Sequence, residues 1–220
     1  MGMIQFTRPT QPSTGLIPKT IGKTLAFEGN WRFNQSVLIP KCEQLAETSP
    51  GFGAGINGLE LGDAGSTAHN KEEMPHMWPE LKSFVSWIYT NTDVILTQWG
   101  FEYDSLVITN SWINRHKRGG WTNFHHHKNT DLVVAAYINA PAGSGDLILT
   151  DPLEPFWFGF PTDGAGYKLP ARTDKVYFFA PFILHGTEPN NTDQDRWVIS
   201  LNIKSFKFIK EHKNASTNGN

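Results

Sequence analysis

The sequence predicts a mainly β chain, a sandwich or jelly roll with helices in front of it. Three observations carry this reading. From Tyr103 onward the apolar residues fall into short segments, 106–116, 132–139, 145–150, 176–179 and 197–205, separated by Gly, Pro and Asn turn signals. Helical periodicity is confined to the stretch before Tyr103, so helices precede strands instead of alternating with them, which argues against a Rossmann or barrel α/β order. Aromatic content is high, with 8 Trp and 15 Phe, as suits the broad packed faces of sheets.

The 220 residues fit one domain with a full core. The expected division is an N-terminal arm with supporting helices over 1–102, a jelly-roll core over 103–206 and a polar tail over 207–220. A formal net charge of -2 gives no basic field for nucleic acid. The single cysteine, Cys42, excludes an intrachain disulfide framework and a multi-cysteine zinc cluster, and reads as a small buried hydrophobe. The first residues lack the apolar run of a signal peptide, and no stretch is long and apolar enough to span a bilayer. The expected location is therefore the cytoplasm, and two sequon-like triplets, 190–192 and 214–216, carry no weight.

Taken in order, residues 1–30 hold Pro9, Pro12 and Pro18 and read as an irregular arm, with a short strand near Leu25–Phe27. Val37, Leu38, Cys42 and Leu45 are spaced for a short helix over 36–48 in which Pro40 falls inside or at the first turn. Residues 51–76 are rich in Gly and polar groups and read as a long loop, a candidate lid, whose His69 and His76 are expected in solvent. Pro79-Glu80 opens the clearest helix, because Leu81, Phe84, Val85, Ile88, Ile95, Leu96 and Trp99 form one apolar stripe. Asn91 and Thr92 mark a break in it.

Chemistry concentrates at Gly119-Gly120-Trp121-Thr122-Asn123-Phe124-His125-His126-His127. In extended chain, residues i and i+2 share a face. His125 and His127 then point together, half of a metal site, while His126 points away and is not a ligand. His185 is the best third ligand, since the apolar run from Phe178 to Leu184 carries it into the core; alone it would read as a core histidine. Beyond it, Arg196, Val198, Ser200 and Asn202 alternate with Trp197, Ile199 and Leu201. The second set reads as packing against the helices. The first set points a guanidinium inward, where an unpaired charge is costly and an anionic partner is required.

These features resemble the Fe(II)/2-oxoglutarate-dependent oxygenase superfamily, and a branch of it in particular. The pieces, in order, are Ser111-Trp112-Ile113-Asn114, a glycine and H-x-H, Tyr137, Gly145 to Pro152, then Phe178-x-x-Pro181-x-x-x-His185, and finally Arg196 to Asn202. The resemblance covers 103–206. It implies a double-stranded β-helix core, a cupin-like jelly roll, and an enzyme that couples oxidation of a substrate C–H to conversion of 2-oxoglutarate into succinate and carbon dioxide. It implies metal ligation by His125, His127 and His185. It also implies cosubstrate binding by Arg196, with Tyr137, Asn114 and Ser200 as further contacts.

One departure stands out. The superfamily places a carboxylate where His127 stands. Either the site has three histidines, or a nearby carboxylate such as Asp131 joins it. Three neutral ligands leave more positive charge on the metal and keep zinc open as an alternative. Other function classes remain in view: a cupin-like metal protein without 2-oxoglutarate chemistry, and a non-catalytic jelly-roll binding module. The expected substrate is a small molecule or a peptide, with Phe156, Trp157, Phe158 and Phe160 as candidate entrance walls, and the expected assembly is open, a homodimer included.

Overall fold

The computed structural model describes residues 25–54, 58–152 and 166–207. The strands are β1 (Ala26–Asn30), β2 (Glu60–Leu61), β3 (Ala64–Ser66), β4 (Ser105–His116), β5 (Trp121–Thr122), β6 (Leu132–Asn139), β7 (Leu147–Leu149), β8 (Tyr167–Leu169), β9 (Lys175–Phe179), β10 (His185–Thr187) and β11 (Arg196–Phe206). Among the described residues two α-helices, α1 (Gln35–Thr48) and α2 (Lys82–Gln98), lie among the early strands.

Six strands form the large sheet in the order β1-β9-β6-β11-β4-β3, and every pairing in it is antiparallel. A second layer consists of β10-β7-β8 and the β2-β5 pair. A bridge between His125 and His185 joins its two parts. Two antiparallel layers of short strands wound this way are a double-stranded β-helix.

Alternation along the strands divides the core in two. On the outer face of the large sheet, Ile113, Val134, Ala136, Ile138, Ile199 and Leu201 pack against Leu38, Cys42 and Leu45 of α1 and Phe84, Ile88, Ile95 and Leu96 of α2. On the inner face Val133, Ala135, Tyr137, Tyr177, Phe179 and Val198 meet Leu147, Leu149 and Ile183 of the second layer. β6 is thus covered on both sides, which is why it reads as an unbroken apolar run. Trp197 and its alternate neighbours do pack toward the helices, as expected.

Several expectations need correction. Residues 51–76 are not a free loop: β2 and β3 lie in it, and each pairs with the core. The Arg115 guanidinium lies over the Phe52 ring at 5.0 Å and the Trp197 ring at 5.5 Å, holding the start of this segment to the sheet. The segment escaped notice because strands of two and three residues leave no periodicity; β5, β8 and β10 are equally short. Pro40 falls inside α1, one of the two placements expected for it. α2 runs through Asn91 and Thr92 without a break, since Asn91 Nδ2 donates to the Trp87 carbonyl at 2.8 Å and Thr92 is fully buried. Gly62, at φ +66, makes the turn between β2 and β3, and a Cβ there would stand 2.2 Å from the Gly119 carbonyl oxygen. Only glycine lets the two segments meet this closely. Phe156, Trp157, Phe158 and Phe160 lie outside the described residues, as do residues 1–24 and 208–220. Among the described residues no helix is long and apolar enough to cross a membrane.

Candidate metal centre

The segment after β5 and the start of β10 run antiparallel. His125 N–H donates to the His185 carbonyl, and His185 N–H to the His125 carbonyl, both at 2.9 Å. One turn on, His127 N–H donates to the Pro181 carbonyl at 2.9 Å. Backbone pairing therefore places the three histidines together, and their ring centroids stand 4.3, 5.0 and 5.1 Å apart. One ligand atom from each lies within 4.8 Å of the others, the arrangement of a group able to hold a metal ion.

The ring orientations fit a cation. Each Nδ1 faces an acceptor: the Asn123 carbonyl for His125 at 2.8 Å, Asn202 Oδ1 for His127 at 2.6 Å, and the Ile183 carbonyl for His185 at 2.8 Å. An oxygen of this kind only accepts, so each Nδ1 carries the proton and each Nε2 keeps its lone pair. The Nε2 atoms of His125 and His127 are 3.2 Å apart with no proton between them. Facing lone pairs repel, and a shared cation removes the repulsion. Two nitrogens bound at about 2.1 Å and roughly a right angle would stand about 3 Å apart. Trp112 stacks on His127 (5.8 Å, 23°) and Phe179 meets His185 edge-on (4.6 Å, 64°), which fixes the rings from outside.

Burial keeps the cluster neutral. It pulls His127 down to about 4, with His125 adding to the shift and Asn202 opposing it. His125 is lowered mainly by burial, against the Asn123 carbonyl. His185 lies well below its usual range through burial and the other two histidines. Neutral imidazole is the ligating form. These histidines bind fewer protons folded than unfolded, so stability must rise with pH across the window from about 4 to 6.5. Each proton taken up contributes a slope of about 1.4 kcal/mol per pH unit. Thermal unfolding of the metal-free protein should show a steady loss from pH 7 to pH 5, and a flat profile would contradict a buried neutral cluster.

The histidines line one cavity of about 250 Å³ between the layers. Asn110, Trp112, Asn114 and His116 of β4 face it, as do Val133, Ala135 and Tyr137 of β6 and Val198, Ser200 and Asn202 of β11. Asn202 holds His127, whereas Tyr137 pairs with Val198 four residues back along β11. The cavity thus extends along the strand from the histidines toward the Arg196 end. Asn114 Nδ2 donates to Ser200 Oγ at 3.4 Å. Asn110 Oδ1 and Asn114 Oδ1 are buried with no hydrogen-bond partner among the described residues, as in a wall built to meet a polar ligand. Burial drives the Tyr137 phenol upward despite the nearby Arg196 charge, so it stays a neutral donor. His126 is exposed and sits at the cavity rim.

Arg196 departs from expectation in how its charge is met. It is fully buried but stands behind the cavity wall. Nε donates to His116 Nδ1 at 3.3 Å, Nη1 to the carbonyls of Gly145 (2.6 Å) and Ser144, and Nη2 to Thr187 Oγ1 (2.9 Å) and the Glu188 carbonyl (3.2 Å). Protein acceptors meet every N–H, so an anionic ligand is not required for its hydrogen bonding. Asp131 also departs: it accepts from Lys204 Nζ (2.7 Å) and from the Ser205 amide and hydroxyl, away from the histidines. His76 is not a solvated loop residue, because its Nδ1 meets Ser111 Oγ at 2.7 Å.

Sequence reasoning missed Glu60, His116 and Thr122, and placed Asn202 on the inward face without its role toward His127. His116 was legible in principle as a polar residue on the inward face of its strand. Glu60 was not, because nothing local marks its two-residue strand.

Residues 110–202 match the sequence model of a family described as "Putative 2OG-Fe(II) oxygenase". No curated protein matches the chain. Among solved structures, a Pseudomonas putida prolyl-4-hydroxylase is similar with a TM-score of 0.56 and 9% identity, over 82% of this chain and 92% of that one. HygX from Streptomyces hygroscopicus, solved with nickel and 2-oxoglutarate bound, gives a TM-score of 0.52 and 12% identity over 90% of each chain. A Trichoplax adhaerens prolyl hydroxylase, in complex with a hypoxia inducible factor peptide fragment, gives 0.53 and 11% over 82% and 83%. At such identities these structures speak for the fold.

Proposed function

We propose, for a chain that belongs to the Fe(II)/2-oxoglutarate-dependent oxygenase superfamily, that His125, His127 and His185 are its iron ligands and that the cavity behind them holds 2-oxoglutarate. The enzyme is a non-haem dioxygenase, and the convergence of three bare Nε2 atoms is the observation that carries the ligand assignment. When bound, iron(II) and 2-oxoglutarate supply the oxidising chemistry, with dioxygen consumed, succinate and carbon dioxide released, and a substrate C–H oxidised.

The chain's own residues orient and exclude. Three acceptors hold the imidazoles as Nε2 ligands, and Asn202 does this for the histidine standing in the carboxylate's place. Apolar walls from Val133, Ala135, Leu147, Phe179 and Val198 keep water from the ligand-binding space. The far carboxylate of 2-oxoglutarate is assigned to the Tyr137 hydroxyl, in the field of the Arg196 guanidinium just behind the wall, with Ser200 and Asn114 completing the polar lining. A fixed positive charge in a dry wall favours an anion even where its N–H groups are engaged.

Substrate reaches the centre past the rim that carries His126 and Lys128, and a small molecule or a peptide suits the opening. The cytoplasm, where iron(II) is kept reduced and Cys42 stays a free buried thiol, is the assigned location, and a homodimer is compatible with it. The test is anaerobic loading with Fe(II), followed by oxygen and carboxyl-labelled 2-oxoglutarate. Release of labelled carbon dioxide and succinate that requires both metal and oxygen is expected. Metal binding without 2-oxoglutarate turnover would favour the cupin-like reading.

A further inference from the structure

Glu60 is the single carboxylate facing the cavity among the described residues. Its side chain is 4% exposed. Its Oε2 accepts from His116 Nε2 at 3.1 Å and from Thr122 Oγ1 at 2.9 Å. On the other side of the same imidazole, Nδ1 accepts from Arg196 Nε at 3.3 Å. A guanidinium can only donate, so His116 must keep its proton on Nε2, which faces both Thr122 Oγ1 at 2.7 Å and Glu60 Oε2 at 3.1 Å. Burial and the Arg196 charge both lower His116, and Glu60 opposes them. The result is a cation, a neutral imidazole and an anion in one buried line.

Arg196 has carbonyls and hydroxyls for its N–H groups but needs a countercharge, since a buried cation without one is strongly unfavourable. Among the described residues Glu60 is the buried carboxylate near it, while Asp146 and Glu188 act on it from partly exposed positions. Resting on the assignment of the cosubstrate's far carboxylate to this end of the cavity, we propose that Glu60 is a charge-setting residue: through His116 it neutralises Arg196 in the empty protein and so limits how tightly a dicarboxylate is held. Two anions then share one cation whenever cosubstrate is bound. The enzyme gains a stable empty state and easy release at the expense of affinity.

The discriminating variant is Glu60→Gln, because the amide oxygen still accepts from His116 and Thr122 while the charge is gone. Titration calorimetry on anaerobic, Mn(II)-loaded protein should compare 2-oxoglutarate with pyruvate, which has the same keto acid end and no second carboxylate. The variant should bind 2-oxoglutarate about threefold to tenfold tighter, because the removed charge faces the same cavity, with a much smaller change for pyruvate. The metal-free variant should also melt lower than wild type. Thr122→Val, which removes the hydroxyl's hydrogen bonds to Glu60 and His116 and no charge, should leave the ratio of the two affinities unchanged.

A Gln variant that binds 2-oxoglutarate equally or more weakly, or a Val variant that shifts the ratio as much, would overturn the proposal. Should the Gln variant not fold, Glu60→Asp draws the charge back by one methylene. It must move the ratio in the same direction by a smaller amount, and an unchanged or lower ratio counts against the idea. Failure of wild type to bind 2-oxoglutarate at all would instead strike the assigned function.

Discussion

His185→Ala abolishes stoichiometric metal uptake, and the loss is expected to be near complete. His185 lies at the start of β10, is 5% exposed, and is the ligand that comes from the far strand. The remaining pair, His125 and His127, sits on one short segment and offers two nitrogens on one side of the ion. Two neutral ligands with no third opposite them leave an ion mostly to water, so retention depends on the third imidazole. Removing it also deletes the ring that packs on Phe179 and leaves the Ile183 carbonyl without its donor. Some loss of stability will therefore accompany the loss of metal, on the order of 1–3 kcal/mol. His126→Ala is the matched control: it is exposed at the rim and its loss should leave uptake intact. The check is metal content per chain after anaerobic reconstitution and desalting, with melting curves to confirm that the variants are folded. Full metal content in folded His185→Ala would contradict the ligand set.

Arg196→Ala should lose 2-oxoglutarate affinity by more than about tenfold while metal still binds, and should also lose stability. Two physical effects are joined here. The guanidinium donates to three carbonyls, to Thr187 and to His116, all buried or partly so. Truncation strands those acceptors and leaves the Glu60 carboxylate in the wall without its cation, a change costing about 3–5 kcal/mol. Toward the ligand, the cavity goes from carrying an offset pair to carrying a bare negative charge, which repels a second carboxylate. Calorimetry below the melting temperature separates the two effects: the protein must be folded and metal-loaded, yet fail to take up 2-oxoglutarate. Equal affinity in the folded variant would remove Arg196 from that role.

How legible the molecule was depends on element length and on sequence separation. Of the long strands, β11 announces itself by period-two alternation, and with it the inward set of Arg196, Ser200 and Asn202, whereas β4 and β6, which carry Asn114 and Tyr137, show as apolar segments between turn signals. The histidines were readable because H-x-H in extended chain places two rings together. His185 came from the apolar run that carries it inward. The short pieces were not readable. β2 and β3 get their conformation from pairing with β5 and β4, partners about sixty and fifty residues away, so no local pattern records them. Glu60 went unseen for the same reason.

Arg196 shows a second limit. Alternation assigned its face correctly, but not its partners: carbonyls of a turn at 144–145 and of Glu188 are backbone groups, which side-chain identity does not encode. Asp131 shows the converse, a carboxylate near in sequence to the histidines yet turned to Lys204 and Ser205.

Anomalous diffraction at the iron edge, from crystals loaded with Fe(II) under nitrogen, addresses the assigned metal centre most directly. A single peak is expected between the layers, about 2.1 Å from Nε2 of His125, His127 and His185 alike. A peak resting on Glu60 or Asp131, or an ordered protein whose three imidazoles surround no metal at full loading, would contradict it.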